Sequence, residues 1–327
     1  METRTLGRSG LKVTSICLGT MAFGRWIDEA ASARVLDAAL DAGVTFIDTA
    51  NIYGRAQDTG DYTQRGESEA ILGAMLGSRR QRVILASKVG NMGQPMGPEP
   101  NDRGLSRRHI MEQVEGSLRR LRTDYLDLYQ CHSFDPTTPL EETLRALDDL
   151  VRQGKVRYIG CSNFAAWQLA RANGISDRLG LERFVSVQPQ YSLLVREIER
   201  ELIPCCQAEG VGMIVYSPLG RGMLTGKYRQ GEAPPEASRA AAGEPLLTRG
   251  LMTEQNFRRV EAMRRLCEEW GLPMAAVATA WVLANPAVTS AIVGASKPEH
   301  VTSAVAASEL KLTADQRQAL DELALID

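Results

Sequence analysis

Four titratable side chains lie at or just beyond the ends of successive β-rich runs. Asp48 lies in TFIDTA, Tyr53 follows five residues later, Lys88 lies in VILASKV, and His132 directly follows YLDLYQC. In a parallel barrel, neighbouring strands are about 4.8 Å apart and their carboxyl ends surround one pocket, where these side chains can converge. Each alone has a simpler explanation, as a turn cap, a solvated lysine or a satisfied core histidine. Because a lysine and an aspartate at the ends of apolar strands should be partly buried and therefore paired, the four predict a shared site.

Eight β-rich runs alternate with segments of helical spacing, which indicates parallel strands joined by crossover helices. Eight such units over this length favour a (β/α)8 TIM barrel over a doubly wound sheet. The stretch TRTLGRSGLKV predicts an N-terminal β-hairpin that turns at Gly7–Gly10, and the chain should end in a C-terminal helix. No Gly/Ser/Pro linker separates the units, so residues 1–327 are expected to form a single domain. The runs are 13–19, 44–50, 83–89, 125–131, 156–163, 184–191, 212–219 and 289–296.

Helix boundaries follow from apolar spacing and capping residues. Residues 29–42 and 106–122 each place apolar side chains on one face. Thr138-Pro139-Leu140-Glu141, Ser296-x-x-Glu299 and Thr313-x-x-Gln316 have the spacing of capping boxes, and each predicts a helix start.

Two loops, 54–66 and about 219–252, are unusually long, and loops that follow barrel strands face the active site. The second contains GRGMLTGK, which matches neither GxGxxG nor a phosphate-binding P-loop, because Lys227 is followed by Tyr228. A Rossmann or P-loop site is therefore rejected. Two interpretations stay open: a flexible loop whose cations Arg221 and Lys227 meet phosphate, or a solvated turn.

Composition excludes several classes of function. The 327 residues include 38 Lys and Arg against 40 Asp and Glu, and the sequence pI is about 6.1. This balance predicts no binding to nucleic acid or to an anionic membrane surface. No apolar run reaches about 18 residues and the start lacks the apolar region of a signal peptide, so a cytoplasmic location is expected.

The cysteines and histidines predict neither a disulfide framework nor a metal site. The six cysteines form no CxxC pair and are interpreted as buried small apolar groups. His109, His132 and His300 are isolated from one another, without an HxH or HExxH pattern. His109 is expected on the solvated surface of a helix. The cysteines are Cys17, Cys131, Cys161, Cys205, Cys206 and Cys267.

Eight motifs, in the same order, resemble those of the aldo-keto reductase superfamily. They are LGTMAFG (18–24), FIDTANIYG (46–54), ASKVG (86–90), DLYQCH (127–132), GCSNF (160–164), VQPQY (187–191), YSPLGRGMLTGKY (216–228) and VGASKPEH (293–300). The match runs along nearly the whole chain. Within the family, the sequence most resembles the bacterial branch that is similar to aryl-alcohol dehydrogenases and potassium-channel β subunits. The ordered set is specific for the family and says less about the substrate.

The resemblance implies a barrel that binds NADP(H) and reduces an aldehyde or ketone to the alcohol. In the family pattern Tyr53 is the proton donor, Lys88 and Asp48 form a buried pair beside it, and His132 orients the substrate carbonyl. Hydride addition creates an alkoxide that needs a proton, and the Lys88 cation is expected to lower the pKa of Tyr53 from about 10. A neutral His132 can donate a hydrogen bond to the same oxygen.

The resemblance also implies contacts to the cofactor. Ser162, Asn163 and Gln188 would bind the nicotinamide carboxamide, and Tyr216 would stack on its ring. Without the family, the two amides would be strand-end residues satisfied by backbone, and Tyr216 a packing residue. Ser217, Leu219, Arg221, Lys227, Ser238 and Arg239 would bind the pyrophosphate region, and Ser296, Lys297 and His300 the 2′-phosphate end. The motifs further place Gly19, Thr20, Met21, Asp48 and Gly294 at the cofactor.

Two features depart from the family pattern. His300 and Ala304 stand where a Gln and an Asn commonly contact adenine, so an adenine contact through Asn is lost. An insertion, residues 55–65, follows the tyrosine motif. Its Gly and polar content predicts mobility, and its residues Arg55, Gln57 and Tyr62 are expected to reach over the substrate.

The substrate is the least determined part of this interpretation. Met21, Phe23, Trp26 and Arg55 are expected to line the substrate pocket, unless the apolar three only pack at the barrel mouth. The polar candidates Arg25, Arg55 and Gln57 suggest a keto sugar or polyol-like carbonyl as an alternative. A cofactor-sensing regulatory subunit with negligible turnover is an alternative from another class, and the oligomeric state is left open.

Overall fold

The computed structural model describes residues 1–236 and 238–326; Ala237 and Asp327 lie outside the described residues. An antiparallel hairpin of β1 (Thr3–Thr5) and β2 (Lys12–Thr14) precedes the barrel. Within the described ranges, eight parallel strands close a barrel in the order β10-β3-β4-β5-β6-β7-β8-β9. They are β3 (Ile16–Gly19), β4 (Phe46–Asp48), β5 (Ile84–Val89), β6 (Leu126–Cys131), β7 (Val156–Ser162), β8 (Phe184–Gln188), β9 (Gly212–Tyr216) and β10 (Val288–Gly294). The predicted TIM barrel and hairpin are confirmed.

Helices connect the strands and surround the barrel, and the predicted C-terminal helix is present. They are α1 (Glu29–Asp41), α2 (Ala56–Thr59), α3 (Glu67–Leu76), α4 (Arg107–Leu121), α5 (Leu140–Arg152), α6 (Ala166–Leu179), α7 (Leu202–Glu209), α8 (Pro245–Thr248), α9 (Glu254–Trp270), α10 (Met274–Ala284), α11 (Pro298–Glu309) and α12 (Ala314–Glu322). The apolar face of α1 illustrates their packing, because Val35, Leu36 and Ala39 are all fully buried against the barrel core.

The hairpin closes the amino end of the barrel. Leu6, in its turn, packs in the inner core cluster with Phe46, Leu128 and Ile214 from three barrel strands. Gly7 adopts a φ of 57°, and a Cβ there would lie 2.5 Å from the carbonyl oxygen of Val185. Only glycine fits this close approach. Because the hairpin closes the amino end, the carboxyl end of the barrel is the open mouth.

Several sequence-based boundaries were wrong in detail. The first β-rich run divides at Ser15, because Val13 and Thr14 belong to β2 and the barrel strand begins at Ile16. Thr138 does not cap α5: Pro139 holds the cap position, and the Thr138 hydroxyl donates to Asp135.

The other two capping boxes had opposite outcomes. Ser296 does not cap α11, because Lys297 holds the cap position and its side chain makes no capping hydrogen bond. The Thr313 and Gln316 box at α12 is confirmed, with both reciprocal hydrogen bonds present.

The expectation of a solvated His109 was also wrong. His109 is 2% exposed because the loop that precedes α4 covers its first turn, and burial lowers the pKa of its imidazole. The six cysteines are free thiols, of which Cys205 is partly exposed and the others are buried. Their interpretation as small apolar groups agrees with this placement.

Candidate active site

The strands direct four polar side chains into the upper layer of the barrel. Side chains two residues apart on a strand share a face, so Asp48 lies above Phe46 on β4, and Lys88 lies above Ala86 on β5. Gln130 lies above Leu128 on β6 in the same way, while Gln188 ends β8. Phe46, Ala86 and Leu128 belong to the inner core cluster. The polar layer therefore rests on an apolar floor, and we call Asp48, Lys88, Gln130 and Gln188 the Asp48 network.

The Lys88 ammonium lies at the centre of this layer, with all of its donors used. It forms a salt bridge with Asp48 Oδ1, donates to the carbonyl oxygen of Thr49 at 2.9 Å, and donates to the Tyr53 hydroxyl at 3.2 Å. The Lys88 side chain has no exposed surface, and that of Asp48 is 3% exposed. Because the Tyr53 oxygen accepts from Lys88, its own proton is free to point elsewhere.

His132 lies on the other side of Tyr53, just after β6. The two rings meet edge to face, with centroids 5.8 Å apart and an interplanar angle of 82°. The His132 amide donates to Val89, and its carbonyl accepts from the Asn163 side chain at 2.9 Å, so the backbone is fixed. The imidazole Nδ1 is buried and has no hydrogen-bond partner in the described part of the chain. The structure thus brings together the four titratable residues that the sequence singled out.

The electrostatics differ from expectation at Tyr53. Burial raises the pKa of the Tyr53 phenol, and Lys88 lowers it by less, so the net pKa is raised. Burial lowers the pKa of Lys88, but Asp48 and Tyr53 outweigh burial and the net pKa is raised. The expected net lowering at Tyr53 was wrong, because Asp48 offsets the Lys88 charge and the hydroxyl is desolvated. Tyr53 is therefore a phenol, with a proton to give, at neutral pH.

His132 is neutral under the same conditions. Burial is the main cause that lowers the pKa of its imidazole well below 6.5, and the Lys88 charge lowers it further. A neutral imidazole carries one N–H, which can donate to an oxygen placed between His132 and Tyr53.

Sequence analysis missed Gln130. Its side chain is fully buried, and its amide donates to Asp48 Oδ2 at 3.1 Å. Gln188 donates to the same carboxylate oxygen at 3.0 Å. The signal was available: Gln130 is a polar residue inside the apolar run YLDLYQC, two residues before His132.

The residues expected at the nicotinamide carboxamide lie together at the ends of β7, β8 and β9. Ser162 donates to the Gln188 carbonyl at 2.8 Å, and Asn163 donates to Ser162 Oγ at 3.1 Å. The Tyr216 hydroxyl donates to Asn163 Oδ1 at 2.9 Å. Asn163 has a φ of 57°, a left-handed conformation that asparagine tolerates better than most residues. The polar atoms form a connected surface beside the catalytic candidates.

The long loop after β9 contributes a pair of arginines held by one carboxylate. Arg221 forms a salt bridge with Glu244, and the side chains of both are 9% exposed. Arg239 lies 3.9 Å from the other carboxylate oxygen of Glu244, and its guanidinium carbon is 4.7 Å from the centre of the Trp26 ring. Glu244 was another residue that the sequence analysis missed. Of the other candidates on this loop, Ser217 and Leu219 are partly exposed, whereas Ser238 is buried and accepts from the amide of Ala241.

A second group of basic side chains lies where β10 ends and α11 begins. Lys227, Lys297 and His300 are exposed. Burial lowers the pKa of His300, and the charges of Lys227 and Lys297 lower it further, which brings the three within electrostatic reach. The Ser296 amide donates to His300 Nδ1 at 3.3 Å. Gly294 lies beside Arg239, since a Cβ there would be 3.4 Å from Nη2. The charges of Lys227 and Lys297 make this surface, with the neutral His300 beside them, one positive patch.

The rim after β3 is more polar than expected. Phe23 has no exposed surface and packs in the main core, so its assignment to the substrate pocket was wrong. Met21 and Trp26 are partly exposed, and Arg25 stacks on Trp26. Gly19 and Thr20 are buried, and the Thr20 hydroxyl donates to the Asp48 carbonyl at 3.2 Å.

The insertion folds back on this rim. It contains α2 and a short 3-10 turn, Tyr62–Gln64. Asp58 accepts two hydrogen bonds from Arg25, at 2.9 and 2.6 Å, and Arg55 pairs with Glu67. Tyr62 is 39% exposed and Gln57 is partly buried.

Across residues 1–236 and 238–326, no group of three or more His, Cys, Asp or Glu side chains is arranged to hold a metal ion. In the same ranges, no helix is both long and apolar enough to cross a membrane.

Comparison with known proteins identifies the family. Residues 15–325 match the family model of the Aldo/keto reductase family. The chain belongs to this family. Its members are oxidoreductases that generally use a nicotinamide cofactor and act on small-molecule substrates, and the prediction from the eight motifs is confirmed.

Similar proteins carry several kinds of name. The chain is 40% identical to "uncharacterized oxidoreductase YrpG" of Bacillus subtilis (strain 168). That alignment spans 327 residues and covers 99% of this chain and 96% of the relative. It is 37% identical to a "probable voltage-gated potassium channel subunit beta" of Oryza sativa subsp. japonica, over 92% of this chain and 89% of the relative. It is also 37% identical to "versiconal hemiacetal acetate reductase" of Aspergillus parasiticus, over 98% of this chain and 96% of the relative.

Proposed function

We propose that this aldo-keto reductase reduces an aldehyde or ketone to the alcohol with NADPH, reversibly, and that Tyr53 donates the proton. The observation that carries the proposal is the arrangement of Lys88, Tyr53 and His132, in which two hydrogen-bond donors flank one position. The Tyr53 proton is free because Lys88 donates to its oxygen at 3.2 Å. The neutral His132 supplies the second donor.

The residues at the mouth fit a phosphorylated dinucleotide by their chemistry. Amide and hydroxyl groups of Ser162, Asn163 and Gln188 form one end, suited to a carboxamide. At the other end, Lys227 and Lys297 supply the charge of the positive patch, and the neutral His300 lies beside them. Arg221 and Arg239 lie in the loop between, with one carboxylate for two cations. Charge-assisted hydrogen bonds from such groups favour phosphate.

Each of these residues then has a defined part in the reaction. When bound, the nicotinamide supplies the hydride. Tyr53 and His132 hold the carbonyl oxygen between their donors, which stabilises the developing negative charge. The alkoxide is more basic than a phenolate even when burial raises the pKa of Tyr53, so proton transfer from Tyr53 is downhill. The Lys88 cation stabilises the resulting phenolate, and Asp48 holds Lys88 in place.

NADPH oxidation with a panel of aromatic aldehydes, quinones and keto sugars tests this proposal. We expect turnover with at least one class, and loss of that turnover in the Tyr53→Phe variant. A protein that binds NADPH tightly but turns over none of the panel would favour the regulatory-subunit alternative, which relatives named as potassium-channel β subunits make worth testing.

A keto sugar or polyol-like substrate is the second candidate, and the rim favours testing it. With Phe23 buried in the core, the rim exposes Arg55, whose side chain is 60% exposed, and the Arg25–Asp58 pair. Higher kcat/KM for keto sugars than for aromatic aldehydes of equal reactivity would support this class, and the reverse order would reject it.

A further inference from the structure

Two buried glutamine amides meet on one oxygen of the Asp48 carboxylate. Gln130 Nε2 lies 3.1 Å and Gln188 Nε2 lies 3.0 Å from Asp48 Oδ2. Gln188 Nε2 also lies 3.2 Å from Gln130 Oε1. Gln130 has no exposed surface, and Gln188 is 3% exposed. Together with the Lys88 salt bridge to Oδ1, these contacts occupy both oxygens of Asp48.

The chemistry of a carboxylate fixes the orientation of both amides. An ionised aspartate only accepts hydrogen bonds, so each glutamine must turn its NH2 group toward it. The second N–H of Gln188 then donates to Gln130 Oε1, which uses both donors of Gln188. The polar atom that Gln188 has left is Oε1, an acceptor. Its backbone carbonyl is also engaged, by the Ser162 hydroxyl and the Asn163 amide.

We propose that Gln130 is a positioning residue that holds Gln188 with Oε1 as its open group, so that the site selects a ligand with an N–H donor there. The matching ligand group is the NH2 of a nicotinamide carboxamide. This inference rests on the proposed function, because it assumes that the nicotinamide binds beside Gln188. It adds a role for Gln130, which touches neither Tyr53 nor His132 in the contacts described above.

Removal of Gln130 has a specific expected consequence. Gln130→Met keeps the length of the side chain but removes the acceptor for Gln188 and one donor to Asp48. The Gln188 amide then keeps a single hydrogen bond and is free to rotate, so Oε1 is no longer held toward the ligand. A packing role for Gln130, which lies 3.4 Å from the place where a Cβ of Gly160 would be, predicts instead equal damage to every ligand.

Binding of two oxidised cofactors to the full-length protein separates these roles. NADP+ carries the carboxamide, whereas its 3-acetylpyridine analogue carries a methyl ketone with no N–H. We expect the unmodified protein to bind NADP+ about three- to tenfold more tightly, the range that one neutral hydrogen bond provides. In Gln130→Met that ratio of dissociation constants should fall below about twofold, with most of the loss on NADP+. Isothermal titration calorimetry or quenching of protein fluorescence measures both constants without turnover.

Tyr129→Phe is the matched control. Tyr129 precedes Gln130 on β6, is fully buried, and has a hydroxyl without a hydrogen-bond partner in the described ranges. It lies in the main core between the barrel and the helices, not in the Asp48 network. The control should keep the wild-type ratio. In Gln188→Leu the preference for NADP+ over the analogue should fall as it does in Gln130→Met. In the double variant this preference should fall no further than in either single variant.

Each outcome decides one question. An unchanged ratio in Gln130→Met, or an equal loss of affinity for both cofactors, overturns the positioning role. Equal binding of both cofactors by the unmodified protein also overturns it, while the proposed function stands. If the unmodified protein binds neither cofactor, the proposed function fails. Should Gln130→Met not fold, as judged by circular dichroism, Gln130→Asn repeats the test, since its shorter amide cannot bridge Asp48 and Gln188.

Discussion

At the centre of the barrel mouth, polar side chains are held by buried contacts from four strands, whereas the insertion at residues 55–65 is held by ion pairs that are more open to water. The Lys88–Asp48 pair has side chains that are 0% and 3% exposed. In the insertion, the Arg55–Glu67 pair has side chains that are 60% and 25% exposed. A buried pair is costly to break because it leaves an unpaired charge, while an exposed pair contributes about 0–1 kcal/mol.

This difference teaches how the two regions divide their tasks. The buried centre fixes the proton donor, and a change there affects every substrate and the fold together. The rim can vary in sequence with little loss of stability, so it is the region where substrate preference can change. The long insertion belongs to this rim, whereas Phe23 belongs to the core. Four predictions test the division.

The largest effect is expected from Lys88→Met. Loss of the cation leaves Asp48 as a buried charge without its ionic partner, and removes the group that stabilises a Tyr53 phenolate. Turnover should collapse, and the free energy of unfolding should fall by about 3–5 kcal/mol. Urea denaturation and steady-state kinetics measure the two losses. Arg55→Met, which breaks the exposed pair, is the control and should cost less than about 1 kcal/mol. Similar losses in both variants would remove the distinction between centre and rim.

Tyr53→Phe should separate chemistry from stability within the centre. The ring and its edge contact with His132 stay, but the proton is lost. Carbonyl reduction should fall at least about a hundredfold, the usual contribution of general acid catalysis, with NADPH affinity nearly unchanged. Near wild-type kcat in this variant would mean that another group donates the proton.

The buried His132 makes stability depend on pH. Burial lowers the pKa of His132 below 6.5 in the folded protein, so the unfolded chain binds an additional proton as pH falls through that value. The free energy of unfolding therefore falls on acidification, and His132 contributes about 1.4 kcal/mol of that loss between about pH 7.5 and about pH 5.5. His132→Gln should reduce the acid-side loss by that amount, as measured by urea unfolding at both pH values. His109, whose pKa burial also lowers, keeps its own contribution in this variant. An unchanged pH dependence would mean that His132 is not desolvated.

The sequence was sufficient for the barrel and for the titratable centre, for a physical reason. Strand alternation places Asp48 and Lys88 at strand ends, and parallel strands bring those ends together. For Gln130 it was sufficient only in part: a polar residue in an apolar strand signals a buried polar contact, but it gives no sign of which neighbour the side chain binds.

Burial of single side chains by neighbouring segments was equally invisible. The loop that covers His109, and the close packing that encloses Phe23, depend on contacts that local spacing does not encode. The direction of the Tyr53 pKa failed for a similar reason, since it depends on the balance between desolvation and a neutralised cation.

The smallest effect is expected at the rim, from Lys297→Ala. Lys297 is exposed and holds the cap position of α11, beside Lys227 and His300 in the positive patch. A 2′-phosphate carries up to two negative charges there, so NADPH should bind more tightly than NADH. Because water and salt screen an exposed contact, loss of Lys297 should reduce that preference only about two- to fivefold. The reduction should come from the Kd of NADPH, with the Kd of NADH nearly unchanged, and should shrink further at high salt. Glu299→Gln, two residues further along in the first turn of α11, is the charge control and should raise the preference if its carboxylate faces the patch. Equal binding of NADPH and NADH by the unmodified protein would show that the patch does not select a phosphate.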